Sequence, residues 1–310
     1  MIPAQTQLQT ALSINLGSDG KAPHVEVTLS TSNDTTIKAV LIFAEGIFEG
    51  ESHVVHPKVS STTTTIPIIP PKDIPVDLHI KAFVGYKSAT HFHVFELTRQ
   101  LPRFSMYHLV TEPSEERIKP EGKVTMQVQE RAQRIVMWIN QNFLLTEELE
   151  TKSELDIEFL VLRDNSSLLF NMDGKGALTI SSNSMDLAGD LVQSLGTYLG
   201  IEDLATVCSF PQEQEQVENL LEKAEELQST RQRLSADMAD HSGVIRSLVV
   251  RAEDSRIMAD MKSMRKWCTQ LYDINKDLVA GYKIRCNNHS ELMETLKQVK
   301  RFAQISNLLR

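Results

Sequence analysis

Two histidine pairs are the first candidates for a metal-binding or reactive site. His53-x-x-His56 and His91-x-His93 place imidazoles close together along the chain, and neighbouring imidazoles can bind one metal ion. His91 and His93 would lie on the same face of a strand, yet neither pair has a third ligand at a recognisable spacing. We therefore expect surface or turn histidines and no metal site.

A Gly-Lys step and three cysteines also fall short of a catalytic motif. The segment Asp173-Gly-Lys-Gly176 lacks the upstream glycine and the following Ser or Thr of a phosphate-binding loop, so it predicts a hairpin turn. Cys208, Cys268 and Cys286 stand in no motif that would activate a thiol, and Cys268 falls in a helix seam. The sequence predicts a protein that is not an enzyme and needs no cofactor.

The net charge and the cysteine content limit the class of partner and the cellular compartment that the sequence favours. The 310 residues carry a formal net charge of -9 and no sustained run of Lys and Arg, which argues against nucleic acid as a partner. Three widely spaced cysteines favour reduced thiols in the cytoplasm. We find no signal peptide after Met1 and no apolar stretch near the roughly 20 residues that span a bilayer, so we expect a cytoplasmic protein.

Residues 1–104 carry the pattern of an all-β domain. Apolar residues alternate with polar ones, or form short buried runs, in segments 8–16, 25–29, 37–43, 76–84 and 92–97. The proline-rich segment 66–71 predicts an edge strand or a connection. Short strands at this spacing favour a β-sandwich.

Between residues 105 and 210 the apolar period changes repeatedly, which is typical of a mixed domain. Strands are predicted over 123–128, 155–162, 167–171, 177–181 and 205–210. Helices are predicted over 130–144 and from an N-cap at Ser184 to Gly200. This order favours an α+β layer whose helices cover one face of a short sheet.

After Pro211 the sequence predicts long helices, because no further proline follows and Gly243 and Gly281 are the two glycines. A first heptad seam consists of Val217, Leu220, Ala224, Leu227, Arg231, Leu234, Met238, His241, Ile245 and Leu248. A second, out of phase with the first, consists of Ile257, Met261, Met264, Cys268, Leu271, Asn275, Leu278, Tyr282, Arg285, His289, Leu292, Leu296 and Val299.

The change of phase predicts a bend or turn near 249–255. Continuing the first seam would place Ala252, Ser255 and Ala259 in it, and these small residues do not resemble the preceding seam. We expect an antiparallel helical hairpin. A kinked continuous rod is the alternative, because no strong turn residue lies there.

A two-helix hairpin of this length cannot bury all of its apolar surface, so part of that surface should contact other chains. The candidate partner-binding residues are Leu220, Leu227, Leu234, Met238, Ile245, Ile257, Met261, Met264, Leu271, Leu278 and Leu292. Polar seam residues such as Asn275 and His289 indicate register control or additional partners. Side chains that reach solvent from the edge of a thin hairpin would explain them equally well.

The sequence also contains long distinctive stretches. They are SNDTTIKAVLIFAEGIFEGESHVVHP from Ser32, PPKDIPVDLHIKAFVGY from Pro70, TRQLPRFSMY from Thr98, RAQRIVMWINQNFLL from Arg131, LSADMADHSGVIRSL from Leu234 and GYKIRCNNH from Gly281. These stretches resemble the Bardet-Biedl syndrome 2 family of BBSome subunits, and the resemblance covers nearly the whole chain. It implies an immunoglobulin-like adaptin-ear β-sandwich over 1–104, an α/β platform domain over 105–210 and a helical hairpin over 211–310.

The same resemblance implies a function. The expected role is that of a non-catalytic scaffold subunit of the BBSome coat, which associates with membranes through an Arf-like GTPase and moves membrane proteins to and from the primary cilium. The expected partners are other BBSome subunits, especially the Bardet-Biedl syndrome 7 and 9 proteins. The expected locations are the cytoplasm, cilium, ciliary membrane, basal body and centriolar satellites.

A peptide-binding module is the alternative function. Ears of clathrin adaptors resemble the first domain and capture short peptides, although no residue set in the sequence identifies a groove.

Overall fold

The computed structural model describes residues 5–17, 20–57, 59, 61–111, 119–150, 154–201 and 204–308, and the side chains of 237–240 and 308 lie outside the described set. The chain forms two compact units. One extends to Phe210 and the other is Pro211–Leu308. Each unit is considered separately below.

The first part of the chain is a two-sheet β-sandwich, as the alternating pattern predicts. Its strands are β1 (Leu8–Asn15), β2 (His24–Thr31), β3 (Thr36–Phe43), β4 (Ser52–Val55), β5 (Thr63–Ile68), β6 (Val76–Gly85) and β7 (His93–Leu101). One sheet has the order β1-β2-β5 and the other the order β4-β3-β6-β7, with antiparallel pairing throughout. We call this sandwich the ear.

Alternation along the strands builds the ear core. Val27 pairs with Leu12 on one side and with Ile66 on the other, so these three apolar residues share the inner face of one sheet. Leu78 and Ile80 of β6 supply the opposing layer and are almost completely buried. Pro67 lies in β5, which is an edge strand of its sheet, as predicted. An edge strand tolerates proline because the missing N–H is not needed for pairing with a further strand.

The second part, which we call the platform, combines one six-stranded antiparallel sheet with two helices. Its elements are β8 (Tyr107–Leu109), β9 (Lys123–Gln127), α1 (Ala132–Asn142), β10 (Leu155–Val161), β11 (Ser167–Met172), β12 (Ala177–Ser181), α2 (Met185–Leu199) and β13 (Thr206–Ser209), in the sheet order β13-β9-β12-β11-β10-β8. Ser184 caps α2 by accepting the Leu187 N–H, and Gly200 ends the helix in the left-handed conformation, both as predicted. The short strands β4 and β8 were not predicted.

The ear and the platform pack directly against each other. Leu101, Phe104 and Met106, at the expected domain boundary, are buried rather than part of an exposed linker. The Phe104 N–H donates to the Asn142 carbonyl at 2.8 Å, and the Met106 side chain belongs to the ear core. The two domains therefore form one continuous apolar interior within the first unit, which we call the ear–platform unit.

The second unit is an antiparallel hairpin of two long helices, α3 (Pro211–Ile257) and α4 (Met261–Leu308). This confirms the hairpin and excludes the kinked rod. Pro211 occupies the first helical position, where its missing N–H is not needed. The described residues of this unit form no third layer, so within the unit each helix buries the face that it turns toward the other.

The turn of the hairpin lies at Met258–Asp260, which corrects the prediction of a turn near 249–255. The Asp260 N–H donates to the Ser255 carbonyl and the Ala259 N–H to the Arg256 carbonyl, and Ala259 has a φ of 60°, which together make a Schellman ending. Asp260 then caps α4 by accepting the Ser263 N–H. The first seam does continue through Ala252 and Ser255, which are half-buried, because small residues suit a close approach of the two helices, whereas Ala259 is exposed in the turn.

Candidate partner-binding surfaces

The predicted seam on α3 is the face that this helix turns toward α4. Leu220, Leu227, Leu234 and Ile245 are half-buried, and Leu248 is buried. The predicted seam residue Arg231 is exposed instead, and its neighbour Thr230 is half-buried. The side chain of Met238 lies outside the described residues. Apart from Arg231, the described seam residues of α3 stabilise the hairpin itself.

On α4 only every second predicted seam position is correct. The half-buried or buried positions, at the seven-residue interval that was predicted, include Met264, Leu271, Leu278, Arg285 and Leu292. The positions between them lie one residue earlier than expected. The structure uses Trp267, Ile274, Gly281, Asn288 and Thr295, whereas the predicted residues Cys268, Asn275, Tyr282, His289 and Leu296 are exposed.

Polar residues inside the seam explain part of this error. Asn288 and Thr295 are 7% and 4% exposed, although a search for apolar heptads would not select them. The Thr295 hydroxyl donates to the Glu291 carbonyl of its own helix, so its burial leaves no unmet donor. The Asn288 Oδ1 atom is buried and accepts no hydrogen bond from the described residues.

The last two candidate residues flank the turn. Ile257 and Met261 expose 76% and 63% of their surface, so neither helps to hold the hairpin together. Large apolar side chains with this exposure are typical of interaction sites when they lie near one another. Of the sequence-predicted residues, these two are therefore the ones that a partner could contact most directly.

Two polar contacts fix the pairing of the helices. The Lys223 Nζ atom lies 2.7 Å from the Glu291 carboxylate, and the Arg251 guanidinium lies 5.3 Å from the centre of the Trp267 ring. The first contact ties the open end of the hairpin and the second the end near the turn. Both are partly exposed, so they specify the register more than they stabilise the pair.

A polar clamp joins the ear to the platform, and no sequence pattern predicted it. Asp73, in the loop before β6, accepts a hydrogen bond from the Tyr107 hydroxyl at 2.7 Å and pairs with the Arg163 guanidinium at 2.7 Å. Arg103 donates to the Asp73 carbonyl at 3.0 Å. Burial, together with the adjacent Asp73 carboxylate and its hydrogen bond, raises the pKa of Tyr107 above its usual value. The clamp holds the two domains in a fixed arrangement.

A cleft of about 650 Å³ opens beside this clamp on the ear. Its apolar walls include Phe43, Ile47, Pro71, Ile74 and Val76. Its charged residues are Glu45, Glu51, Lys72 and Asp77, so acidic groups outnumber basic ones. The cleft therefore combines apolar and charged walls. Sequence reasoning did not identify it because its walls come from three separate segments.

The residues considered first for chemistry lie apart from one another. The His53 ring stacks on Phe48 with centroids 5.0 Å apart, and His93 packs edge-on against Phe95. Asp173 accepts the N–H groups of Lys175 and Ala177, so its segment is the predicted hairpin turn. Within the described part of the chain, no three His, Cys, Asp or Glu residues converge as metal ligands.

No helix among the described residues combines the length and the apolar character needed to cross a bilayer.

Comparison with known proteins places these three regions in one family. The chain is 52% identical to the "BBSome complex member BBS2" of Mus musculus and to that of Homo sapiens, with all of this chain and 43% of each relative aligned. It is 26% identical to "BBSome complex member bbs-2" of Caenorhabditis elegans over the whole chain and 44% of the relative. The chain thus spans less than half the length of these relatives.

Three family models match successive parts of the chain. Residues 18–104 match the BBS2 GAE domain, residues 107–199 the BBS2 platform domain and residues 211–306 the BBS2 hairpin. These matches correspond to the ear, the platform and the α3–α4 hairpin. The chain therefore belongs to the BBS2 family.

Proposed function

We propose that this chain is a non-catalytic scaffold segment of the BBSome coat. The observation that carries the proposal is the hairpin, in which Val250, Tyr272, Val279, Ile284 and Met293 remain exposed in a unit of two helices. A surface with so many large apolar side chains is typical of a protein that assembles with others. The relatives are described as members of the BBSome complex, which agrees with this role.

The proposal extends to partners and location. The chain contacts the Bardet-Biedl syndrome 7 and 9 proteins, and through the assembled coat it associates indirectly with membrane and an Arf-like GTPase. Its complex moves membrane proteins to and from the primary cilium. It is therefore found in the cytoplasm, at the cilium and ciliary membrane, at the basal body and in centriolar satellites.

Within the hairpin, the eleven sequence-predicted residues have two tasks under this proposal. Ile257 and Met261, which are exposed, contact a partner directly. The half-buried seam residues, of which Leu234 and Met264 are examples, hold the helices together and offer their remaining exposed surface to the partner. Losing a seam residue should therefore affect both folding and assembly, and losing Met261 should affect assembly alone.

Light scattering tests the proposal. The mass of the purified chain is measured alone and with the corresponding fragment of the Bardet-Biedl syndrome 7 protein, and we expect a stable heterodimer. Leu234→Glu and Met264→Glu should abolish it with a loss of helical circular dichroism, whereas Met261→Glu should weaken it with helicity unchanged. Ala236→Glu, on an exposed position of α3, is the matched control. Normal heterodimer formation by all three test variants would refute the hairpin interface.

The ear cleft supports a second candidate function, the binding of short peptides. Its apolar walls and its four charged residues, Glu45, Glu51, Lys72 and Asp77, are the observation that favours it. A rigid monomer that ignores the partner fragment would favour this function over the scaffold. Ile74→Glu, which places a charge on the exposed wall of the cleft, should then abolish peptide binding without changing the mass of the chain.

A further inference from the structure

α4 carries a second stripe beside the seam that it turns toward α3. Starting at Cys268 and stepping by 4 and 3, the stripe reaches Leu296 through nine positions, and all nine are exposed. Tyr272 and Tyr282 within it expose 69% and 59% of their surface. Spacing by 3 and 4 is that of a helix that packs against another helix along its length. We call these nine positions the outer stripe.

The composition of the outer stripe fits a packing surface. Tyr272, Val279, Tyr282, Met293 and Leu296 contribute large apolar area. Methionine and tyrosine are frequent where a surface adapts to a partner. Two polar residues, Asn275 and His289, interrupt the stripe, and a single polar residue in a helix seam commonly sets the register of the partner.

The outer stripe borders a groove between the two helices. Gln228 and Gln232 of α3 and Leu296 of α4 line a cavity of about 370 Å³ on this side. The ion pair of Lys223 with Glu291 lies on the opposite side of the hairpin. Both of its residues come directly before a seam residue of their helix, whereas Gln228 and Leu296 come directly after one, and these two positions lie on opposite sides of the seam. The stripe and the groove therefore face the same way.

The α3 wall of the groove leaves room for another helix. Gln228, Ser235 and Ser242 follow one another at seven-residue intervals and are exposed, and two of the three are small. Leu221 and Val249 continue the same line toward the two ends and are exposed apolar side chains. Small residues in the middle of a groove allow a third backbone to approach, and the apolar ends provide contacts for it.

A row of lysines beside the outer stripe indicates the charge that a docked helix carries along its adjacent flank. Four lysines of α4 occupy one heptad position, the one directly after the position of Asn275 and Tyr282. They form a basic row on the side of the stripe away from α3 and are Lys262, Lys276, Lys283 and Lys297. Charges beside a helix seam select partners with the opposite sign. An occupant with Asp or Glu along the adjacent flank is complementary to this row.

The same row disfavours a second copy of the chain. In an antiparallel twofold pairing through the outer stripe, equivalent flanks face each other, so the lysines of one copy would oppose those of the other. Like charges placed together at an interface oppose association. In a parallel twofold pairing the lysine row would instead face the α3 side of the groove, where the exposed Gln228, Ser235 and Ser242 carry no charge.

From these observations we infer that the groove along the outer stripe docks an amphipathic helix of another subunit. That helix has apolar residues spaced by 3 and 4 and an acidic row along one flank. A stripe of 29 residues is about 42 Å long, so the docked segment has about eight turns. The inference rests on the proposed scaffold function and names the surface that performs it.

Photo-crosslinking in the assembled complex tests this surface. A photoreactive amino acid replaces Tyr282 in the outer stripe, or Asn287 on the opposite face of α4 as the control, in the full chain co-expressed with the remaining BBSome subunits. We expect at least a tenfold higher yield from position 282. The crosslinked peptide, identified by mass spectrometry, should belong to another subunit and carry the apolar spacing and the acidic flank.

Charge reversal distinguishes a specific effect of the basic row from a general effect of the net charge of the chain. Lys283→Glu should lower the crosslinking yield at position 282 at least fivefold, whereas Arg233→Glu, an equal charge change at an exposed position away from the groove, should leave it unchanged. Equal yields at 282 and 287, a crosslink to a loop or a sheet, or a crosslink only between two copies of this chain would each overturn the docking surface. Failure of the unsubstituted chain to join the complex would overturn the proposed function as well.

Discussion

A cluster of large aromatic side chains lies inside the ear–platform unit, whereas two tyrosines of the hairpin lie on its surface. Phe104, Trp138 and Phe143 are almost completely buried, and Phe143 stacks on Phe159 with centroids 4.4 Å apart. Tyr272 and Tyr282 of the hairpin are mostly exposed. A sandwich fused to a platform has an interior that can enclose such rings, whereas two helices have only one contact face each. In the first unit, therefore, the residues that stabilise the fold differ from those available to a partner. In the hairpin, the residues for these two roles are neighbours on the same helices.

Removing one ring from each unit should give the largest contrast. Phe143→Ala should lower the free energy of unfolding of the ear–platform unit by about 3–5 kcal/mol, because the cavity would open among five other aromatic rings. Tyr282→Ala should change the free energy of unfolding of the hairpin by less than about 0.5 kcal/mol. Urea unfolding followed by circular dichroism measures both. Comparable losses would show that the hairpin also depends on its aromatic residues for stability.

A second contrast lies inside the turn between β11 and β12. Gly176 has a φ of 89°, and a Cβ atom there would lie near the Val128 carbonyl, so Gly176→Ala should cost about 1–3 kcal/mol of stability. Gly174→Ala in the same turn should be nearly neutral, since no heavy atom lies within 4 Å of the added Cβ. Thermal unfolding of the two variants measures the difference. Equal melting temperatures would contradict the tight packing of this turn on β9.

The clamp between ear and platform should give the first unit a dependence on alkaline pH. The pKa of Tyr107 is higher in the folded state than the ordinary value of 10.0, so the unfolded chain releases this proton first as the pH rises. The contribution of Tyr107 is complete below about pH 10 and is lost above it, at up to about 1.4 kcal/mol per pH unit. Tyr107→Phe should abolish this part of the slope.

The same variant has a neutral-pH effect. Without the hydroxyl, the mostly buried Asp73 carboxylate loses one donor, which should cost about 1–3 kcal/mol. Urea unfolding of both proteins at several pH values between about 8 and 11 gives both quantities. Parallel pH profiles for the two proteins would exclude Tyr107 as the source of the alkaline loss.

The smallest expected effect is a gain of stability in the hairpin. Ala259 adopts a φ of 60°, where glycine is favoured, so Ala259→Gly should stabilise the turn by up to about 1 kcal/mol. Ala252→Gly, in the interior of α3, should instead lower stability by about 1 kcal/mol. Melting curves at the α-helical circular dichroism minimum distinguish the two. A loss with Ala259→Gly would mean that another contact of the alanine holds the turn.

Most of the architecture was predictable because periodicity reports which face of an element is buried. Alternation around Val27 and Ile80 predicted the ear strands, and Ser184 and Gly200 predicted both ends of α2. The strands β4 and β8 were missed because they are short and have no alternating run of their own. The position of the turn was missed because Ala259 replaces the glycine that usually marks a helix end.

By itself, therefore, the sequence determined the order of sandwich, platform and hairpin, since hydrophobic period and capping residues are local properties of the chain. The tertiary structure decided which of two adjacent stripes on α4 faces α3. In the sequence, Leu278 can be followed in the seam by Gly281, three residues later, or by Tyr282, four residues later, and the local pattern fits both. The tertiary structure also decided that Asp73 meets Tyr107 and Arg163, residues far away along the chain. Such choices depend on which surfaces approach each other in space, and a local pattern does not contain that information.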